Sequence, residues 1–312
     1  KLKNISYLWS EVTNKDSIFS YLLSICKPKK DETAKDLKAY LKDKSISNIR
    51  LIEACMFSPS WIPLVDKILK WKGFVSGCYY FLAHMRYADK KLAATFAKYT
   101  PISIEDLRDG AFDLDWFKSC YKQLGKERFA ILYDAAKYIS EGNAHTRARK
   151  YADATNGLFS ADEVKAQIIE KRNKDLLMAY GLIPLSKSGK ITKTAQKEML
   201  KRYIFIQQFH KESKKFGSQR QSSENLACKI ALNNLARNAH FSDTFRFVLN
   251  METQLIKNQQ QYFGPKELEN ISIYLQVDEY GKTSIICQKQ NKQLKSVPSK
   301  IKKEPYYLAL KQ

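Results

Sequence analysis

The thirteen residues Gly73-Phe-Val-Ser-Gly-Cys-Tyr-Tyr-Phe-Leu-Ala-His-Met85 form the longest apolar stretch of the chain. A run this long with apolar residues on nearly every side predicts a helix buried all round in a protein core. It falls short of the roughly 20 residues that a membrane-spanning helix needs. Gly73 and Gly77 lie four apart on one helical face. That spacing serves dimerising membrane helices as well as close packing in a soluble core, and the short length decides for the core.

The sequence on either side of this stretch is also helical in period. Toward the N-terminus, Ser17–Cys26 is nearly all apolar and is ended by Lys27-Pro28. A second pattern runs through Leu37 and Leu41, and Ser47 precedes a third with Ile49, Leu51, Ile52, Cys55 and Met56 at helical spacing. Pro59 and Pro63 bracket Trp61 and open a helix whose face is Leu64, Val65, Ile68 and Leu69. Toward the C-terminus, Ser103-Ile-Glu-Asp reads as a capping box, and Asp113 starts a further helix. Others are expected over 126–140, 144–154 and 160–179, where Ser160 and Glu163 again suggest a capping box. Gly181–Lys190 reads as an exposed loop or linker. Three long patterns follow, roughly 193–216, 218–238 and 242–261. Leu226, Ala227, Ile230, Ala231 and Leu235 stripe the second; Phe245, Val248, Leu249, Leu255 and Ile256 stripe the third.

The period then changes. Gly264-Pro265 breaks the helical register, Ile271–Val277 alternates with period two, Asp278-Glu-Tyr-Gly281 forms a turn, and Thr283–Lys289 returns as a strand. The expected fold is therefore mainly α, built of antiparallel helix pairs in an order that would suit a solenoid-like stack, with a small C-terminal β-hairpin. Three regions are expected: 1–180, 181–264 and 265–312. No regular repeat of 33 to 47 residues is present.

Eleven Gly and eight Pro are too few for a collagen-like or turn-dense chain, and 44% hydrophobic residues suffice for a core. Six Cys, no two closer than 23 residues, provide neither a disulfide scaffold nor a zinc knuckle; they read as reduced thiols of a cytoplasmic protein. Lys1 in place of an initiator Met, and a helical start over 306–312, suggest an internal piece of a longer polypeptide.

Several groupings were weighed for chemistry. Ser186-Lys-Ser-Gly-Lys190 lacks the earlier Gly of a phosphate-binding loop, Pro184 standing there, and Ile191 replaces the required Ser or Thr. Glu105, Asp106, Asp109, Asp113 and Asp115 could perform acid–base chemistry, but they sit where helix N-termini favour carboxylates. His84, His145, His210 and His240 have no metal-ligand spacing, and Cys78 and His84 fall on different faces of one helix. No catalytic, metal or cofactor residue is assigned.

Charge is the strongest signal. Lys and Arg number 54 against 32 Asp and Glu, a net +22. The segment 187–220 has a net +8, and 289–312 has +6. Candidate phosphate contacts are Arg147, Arg149 and Lys150 on one helix, with Lys201, Arg202, Lys214, Lys215 and Arg220. The neighbouring Tyr203, Phe205, Phe209 and Phe216 have the spacing of core residues and not of base-stacking platforms.

Several segments resemble the MolR-like (molybdate-metabolism-regulator-like) family of large bacterial proteins. They include Arg50–Phe57, Trp71–Met85, Asp109–Phe117, Arg147–Ala154, Arg172–Met178, Phe209–Gly217, Val277–Gly281 and Lys295–Lys300. The resemblance implies an internal, mostly helical piece of a larger protein, with the 271–300 hairpin opening a C-terminal domain of unknown function. It implies no catalytic residue or cofactor. Three functions are expected in order: a helical scaffold or regulatory interaction region partnered by the rest of its parent polypeptide; nucleic-acid or other polyanion binding through 187–220; and part of an enzyme completed by other sequence. No membrane partner is expected.

Overall fold

The computed structural model describes residues 21–23, 25–85, 88–139, 145–186, 191–290 and 292–311. Tyr21, Leu22, Leu23 and Ile25 of the helix expected over Ser17–Cys26 are helical, and its residues 17–20 and 24 lie outside the described residues. So do Lys187, Lys190 and the expected ends of two helices at Ser140 and Ala144. The chain divides into two compact units, Lys1–Thr244 and Phe245–Gln312.

The first unit is helical throughout its described residues. It opens with α1 (Ala34–Leu41), α2 (Asn48–Phe57), α3 (Ile62–Leu69) and α4 (Phe74–Ala83). Short polar side chains start the first two: Ser47, which the sequence places before its helix, accepts from the Arg50 amide, and Thr33 accepts from the Asp36 amide. The apolar stretch is α4, with Phe74, Cys78, Tyr80, Phe81 and Ala83 wholly buried. Gly73 precedes it at φ 85°, a conformation that favours glycine.

Next come α5 (Ala93–Phe96), α6 (Ile104–Asp109) and α7 (Leu114–Ala135). Ser103 caps α6 and Asp113 caps α7, each side chain accepting from the amide three residues on. Gly125 interrupts α7 at φ 74°, ψ 167°, so it consists of two shorter helices, as the separate start expected at Lys126 implies. The α4–α7 contact is close because Gly77 has no side chain: a Cβ there would lie 2.7 Å from Leu124 Cδ1 and 2.8 Å from Leu132 Cδ1. Around it Tyr80 meets Phe117 at 5.3 Å and Phe112 at 6.1 Å between ring centres. Each such pair adds about 1 kcal/mol beyond burial. The buried Tyr80 hydroxyl donates to the Ala148 carbonyl at 3.2 Å, so its polar atom is satisfied.

The unit closes with α8 (Thr146–Thr155), α9 (Ala161–Lys171), α10 (Lys174–Tyr180), α11 (Lys193–Ser213) and α12 (Ser218–Asn238). The boundary expected at 180 does not divide the core. Leu182 and Ile183, read as linker, are buried. At Gly181 the backbone approaches α12 so closely that a Cβ would lie 2.5 Å from the Ala231 oxygen and 2.9 Å from the Leu235 nitrogen. Asn234 donates to the Met178 carbonyl at 3.0 Å. Asn238 donates to the carbonyls of Gly181 and Ile183 at 3.0 and 2.8 Å. The glycine that suggests a flexible loop is there for helix proximity.

The second unit begins on α13 (Thr244–Gln259). Its expected apolar stripe is mostly on the outside: Phe245, Leu249 and Ile256 are exposed, while Phe247 and Met251 are buried. Apolar residues occupy most of the circumference of this helix, so the periodicity could not say which side faces inward. The expected hairpin forms the middle of a four-stranded antiparallel sheet in the order β1 (Lys266–Leu268), β2 (Ile271–Val277), β3 (Thr283–Lys289), β4 (Lys292–Gln293). Pairing Ile273 with Cys287 and Leu275 with Ile285 puts these four on one face. There, with Ile271, they pack against Ile301 and against Tyr307 and Leu310 of α14 (Pro305–Lys311). The hairpin is thus supported by a core of its own, which two strands alone would lack.

Candidate functional site

The arginines singled out for phosphate contact divide sharply. Arg202, on α11, is 2% exposed. Its Nε donates to Glu198 at 2.8 Å, and its Nη1 donates to the carbonyls of Ile183 at 2.5 Å and Tyr180 at 3.3 Å. The same guanidinium lies over the Tyr180 ring. Arg147 is buried too, bonded to Asp175 at 3.2 Å and to the Arg108 carbonyl at 2.5 Å. Arg202 is enclosed and cannot reach a phosphate, which corrects its assignment; Arg147 borders an open hollow with its guanidinium committed to Asp175 and the Arg108 carbonyl. A buried charge must be paired and hydrogen-bonded, and both arginines fill that role between helices.

Arg149 stacks on Tyr133 at 4.2 Å and lies 4.0 Å from Asp134. Arg220 is exposed but bonds Glu224 at 2.9 Å and covers Phe216. Lys150 is half-buried, whereas Lys201, Lys214 and Lys215 are exposed. Of the candidates between 201 and 220, Arg202 is therefore turned inward while the other four are exposed.

One further arginine escaped the sequence reading. Arg172 follows α9 in a left-handed conformation, φ 44°. Its guanidinium binds Glu224 at 2.7 and 3.2 Å, Glu212 at 2.9 Å and the Phe209 carbonyl at 3.2 Å. Phe209 lies 3.9 Å beneath it. Burial opposes the charge on Glu224, yet Arg172 and Arg220 together hold its carboxyl below the ordinary value. Partners 37 to 52 residues away in sequence build this node, so no local pattern announces it.

The groups weighed for catalysis are placed structurally. His84 is wholly buried, with Nδ1 2.9 Å from the Tyr80 carbonyl and Nε2 without a partner among the described residues. Burial among Tyr80, Phe112 and Trp116 pulls its pKa down to about 4. Asp113 bonds the Trp116 amide at 2.9 Å as a cap, and Asp106 accepts from Ser103 at 2.8 Å. Five cysteines are buried and Cys26 is exposed; burial pushes the thiols of Cys120 and Cys228 up to about 12. Among the described residues no group of His, Cys, Asp and Glu could hold a metal ion. No described helix is long and apolar enough to cross a membrane.

What remains open is a groove between α6 with its flanking loops and α12. It consists of two adjoining hollows of about 440 and 390 Å³ that share Asp109 and Leu226. One wall is a single face of α12: Ser223, Leu226, Ile230, Asn233 and Arg237, spaced three, four, three and four residues apart. At 1.5 Å per residue that face runs about 21 Å. Leu226 is exposed at its centre. Lys229, Arg237, Arg108 and Lys174 supply positive charge, and Asp106 and Asp109 supply negative charge. In sequence this groove leaves only one trace, the apolar stripe to which Leu226 and Ile230 belong.

No curated protein and no solved structure matches the chain. The family of unknown function DUF5724 matches residues 2–251, which takes in the helical unit and the first turns of α13. This chain belongs to that family.

Proposed function

We propose that the chain is a helical scaffold, a regulatory interaction region of a larger cytoplasmic protein, which docks a partner helix in the groove between α6 and α12. The open face of α12 carries this reading. Exposed Leu226, with Ile230 beneath it and Asn233 at three-four spacing, is a ridge that a partner helix can pack against. Acidic Asp106 and Asp109 and basic Lys229 and Arg237 suit a partner helix with both charges on its flanks. The MolR-like resemblance supports a partner within the same larger protein. The enzyme reading has less support, because His84 and Asp113 are committed to the core and to a cap.

A photo-crosslinking residue at position 226, compared with one at the exposed Lys35 on α1, tests this reading. One recurring partner peptide is expected from 226, absent from 35 and lost when Asp109→Lys and Arg237→Glu are combined. The same diffuse products from both positions would refute it.

A further inference from the structure

We infer that the second unit carries a surface for the phosphate backbone of duplex nucleic acid, formed by the lysines of residues 289–303. Lys289, Lys292, Lys295, Lys300, Lys302 and Lys303 are all exposed. Among the described residues none has a side-chain hydrogen bond, ion pair or ring contact, and no acidic residue interrupts the segment. The segment itself is fixed. Leu294, Val297 and Ile301 pack into the core formed with Ile273, Cys287 and Leu310, and the Leu294 amide donates to the Cys287 carbonyl at 2.8 Å. The apolar residues point inward and the lysines remain outside.

Glu304 directly follows the segment, and the acids of the sheet are kept apart from its lysines. Glu267 and Glu269 belong to β1 and the turn after it, two strands away from β4, and Asp278 and Glu279 occupy the turn at the far end of β3. Lys289 and Lys292 pair directly across β3 and β4. Like charges in such a pair destabilise the sheet unless an anion lies between them. Lysines on an edge strand also prevent edge-to-edge association. That need accounts for Lys289 and Lys292 but not for Lys295, Lys300, Lys302 and Lys303, which lie outside the strands.

The residue types select the partner. Protein interfaces are depleted in lysine and centred on aromatic or apolar anchors, and this segment has its apolar residues buried. A lipid surface would require an exposed apolar face. Single-stranded nucleic acid would require exposed rings for base stacking, and the exposed Tyr280 stands in the turn at the far end of β3. Point charges without base-reading arginines suit phosphate contacts that ignore sequence.

The test uses the whole chain and a fluorescein-labelled 20-base-pair duplex of arbitrary sequence, titrated by anisotropy at several salt concentrations. A 20-nucleotide single strand and a polyglutamate peptide serve as comparisons. If four to six lysines each meet a phosphate, log K should fall against log salt with a slope of about −4 to −5. Combining Lys292→Gln, Lys295→Gln, Lys302→Gln and Lys303→Gln should reduce the magnitude of that slope by about 3 to 4. At 50 mM salt this variant should bind the duplex at least tenfold more weakly, with an unchanged far-ultraviolet spectrum. Combining Lys201→Gln, Lys214→Gln and Lys215→Gln should leave the slope within about one of the original. Unaltered binding by the four-lysine variant would overturn the proposal. So would a larger loss from the Lys201 set, or preference for polyglutamate or the single strand. None of these readings depends on the α6–α12 groove, so either proposal can fail alone.

Discussion

Arg202 in the first unit and Lys303 in the second carry the same formal charge in segments of similar composition, and they do opposite things. Arg202 is enclosed by Glu198, two carbonyls and the Tyr180 ring. Lys303 has no side-chain partner among the described residues and stands in solvent. The difference follows from chemistry. A planar guanidinium directs several donors at fixed acceptors and is only weakly hydrated, so it can join buried helices, whereas an ammonium keeps its water. Net charge along a sequence therefore locates a surface only after the arginines that tie the core together are subtracted.

Replacing each residue in turn would break or sharpen that contrast. Arg202→Met keeps the apolar stem but removes the donor to the Tyr180 carbonyl, leaves Ile183 with Asn238 alone and leaves Glu198 without its ion pair. It should cost about 3–5 kcal/mol, read as a melting point lower by about 10 °C. Lys303→Gln should change stability by less than about 0.5 kcal/mol. Equal effects would erase the distinction.

Gly181→Ala should follow at about 3 kcal/mol, because the new methyl meets α12 backbone that cannot move aside cheaply. A denaturant midpoint unchanged from the parent would return 181–183 to the status of a linker.

The smallest effect at neutral pH belongs to His84. With its pKa lowered from 6.5 to about 4, the folded chain refuses a proton that the unfolded chain accepts. His84 therefore contributes fully above pH 6.5, and that contribution is lost as the pH falls toward 4. His84→Phe should be nearly neutral at pH 7, since Nε2 has no partner and the Tyr80 carbonyl still accepts the backbone amide. Between pH 6.5 and 4 the variant should lose about 3 kcal/mol less stability than the parent. Parallel curves would show that the imidazole is hydrated.

Much of this fold is legible in the sequence because its signals are local. Ser103, Asp113 and Ser160 announce helix starts with side chains that reach only three residues, and the alternation of Ile271–Val277 fixes a strand. What is not legible depends on distant partners. Gly181 reads as loop until Ala231 is beside it, Arg172 until Glu224 is, and the stripe on α13 does not reveal its buried side. The groove between α6 and α12 is of the same kind, since those two helices lie more than 100 residues apart.

The strand order β1-β2-β3-β4 follows the order of synthesis. Each new strand pairs with the one just made, across turns of two to five residues. Hairpins of this sort close in about 1–10 μs, so the sheet has little conformational search to perform. The first unit cannot share that speed. Its corner at Gly181 is complete only when α12, some fifty residues later, has arrived, and until then the Met178 and Gly181 carbonyls are left to water. A ribosome therefore makes the slow-assembling unit before the fast one.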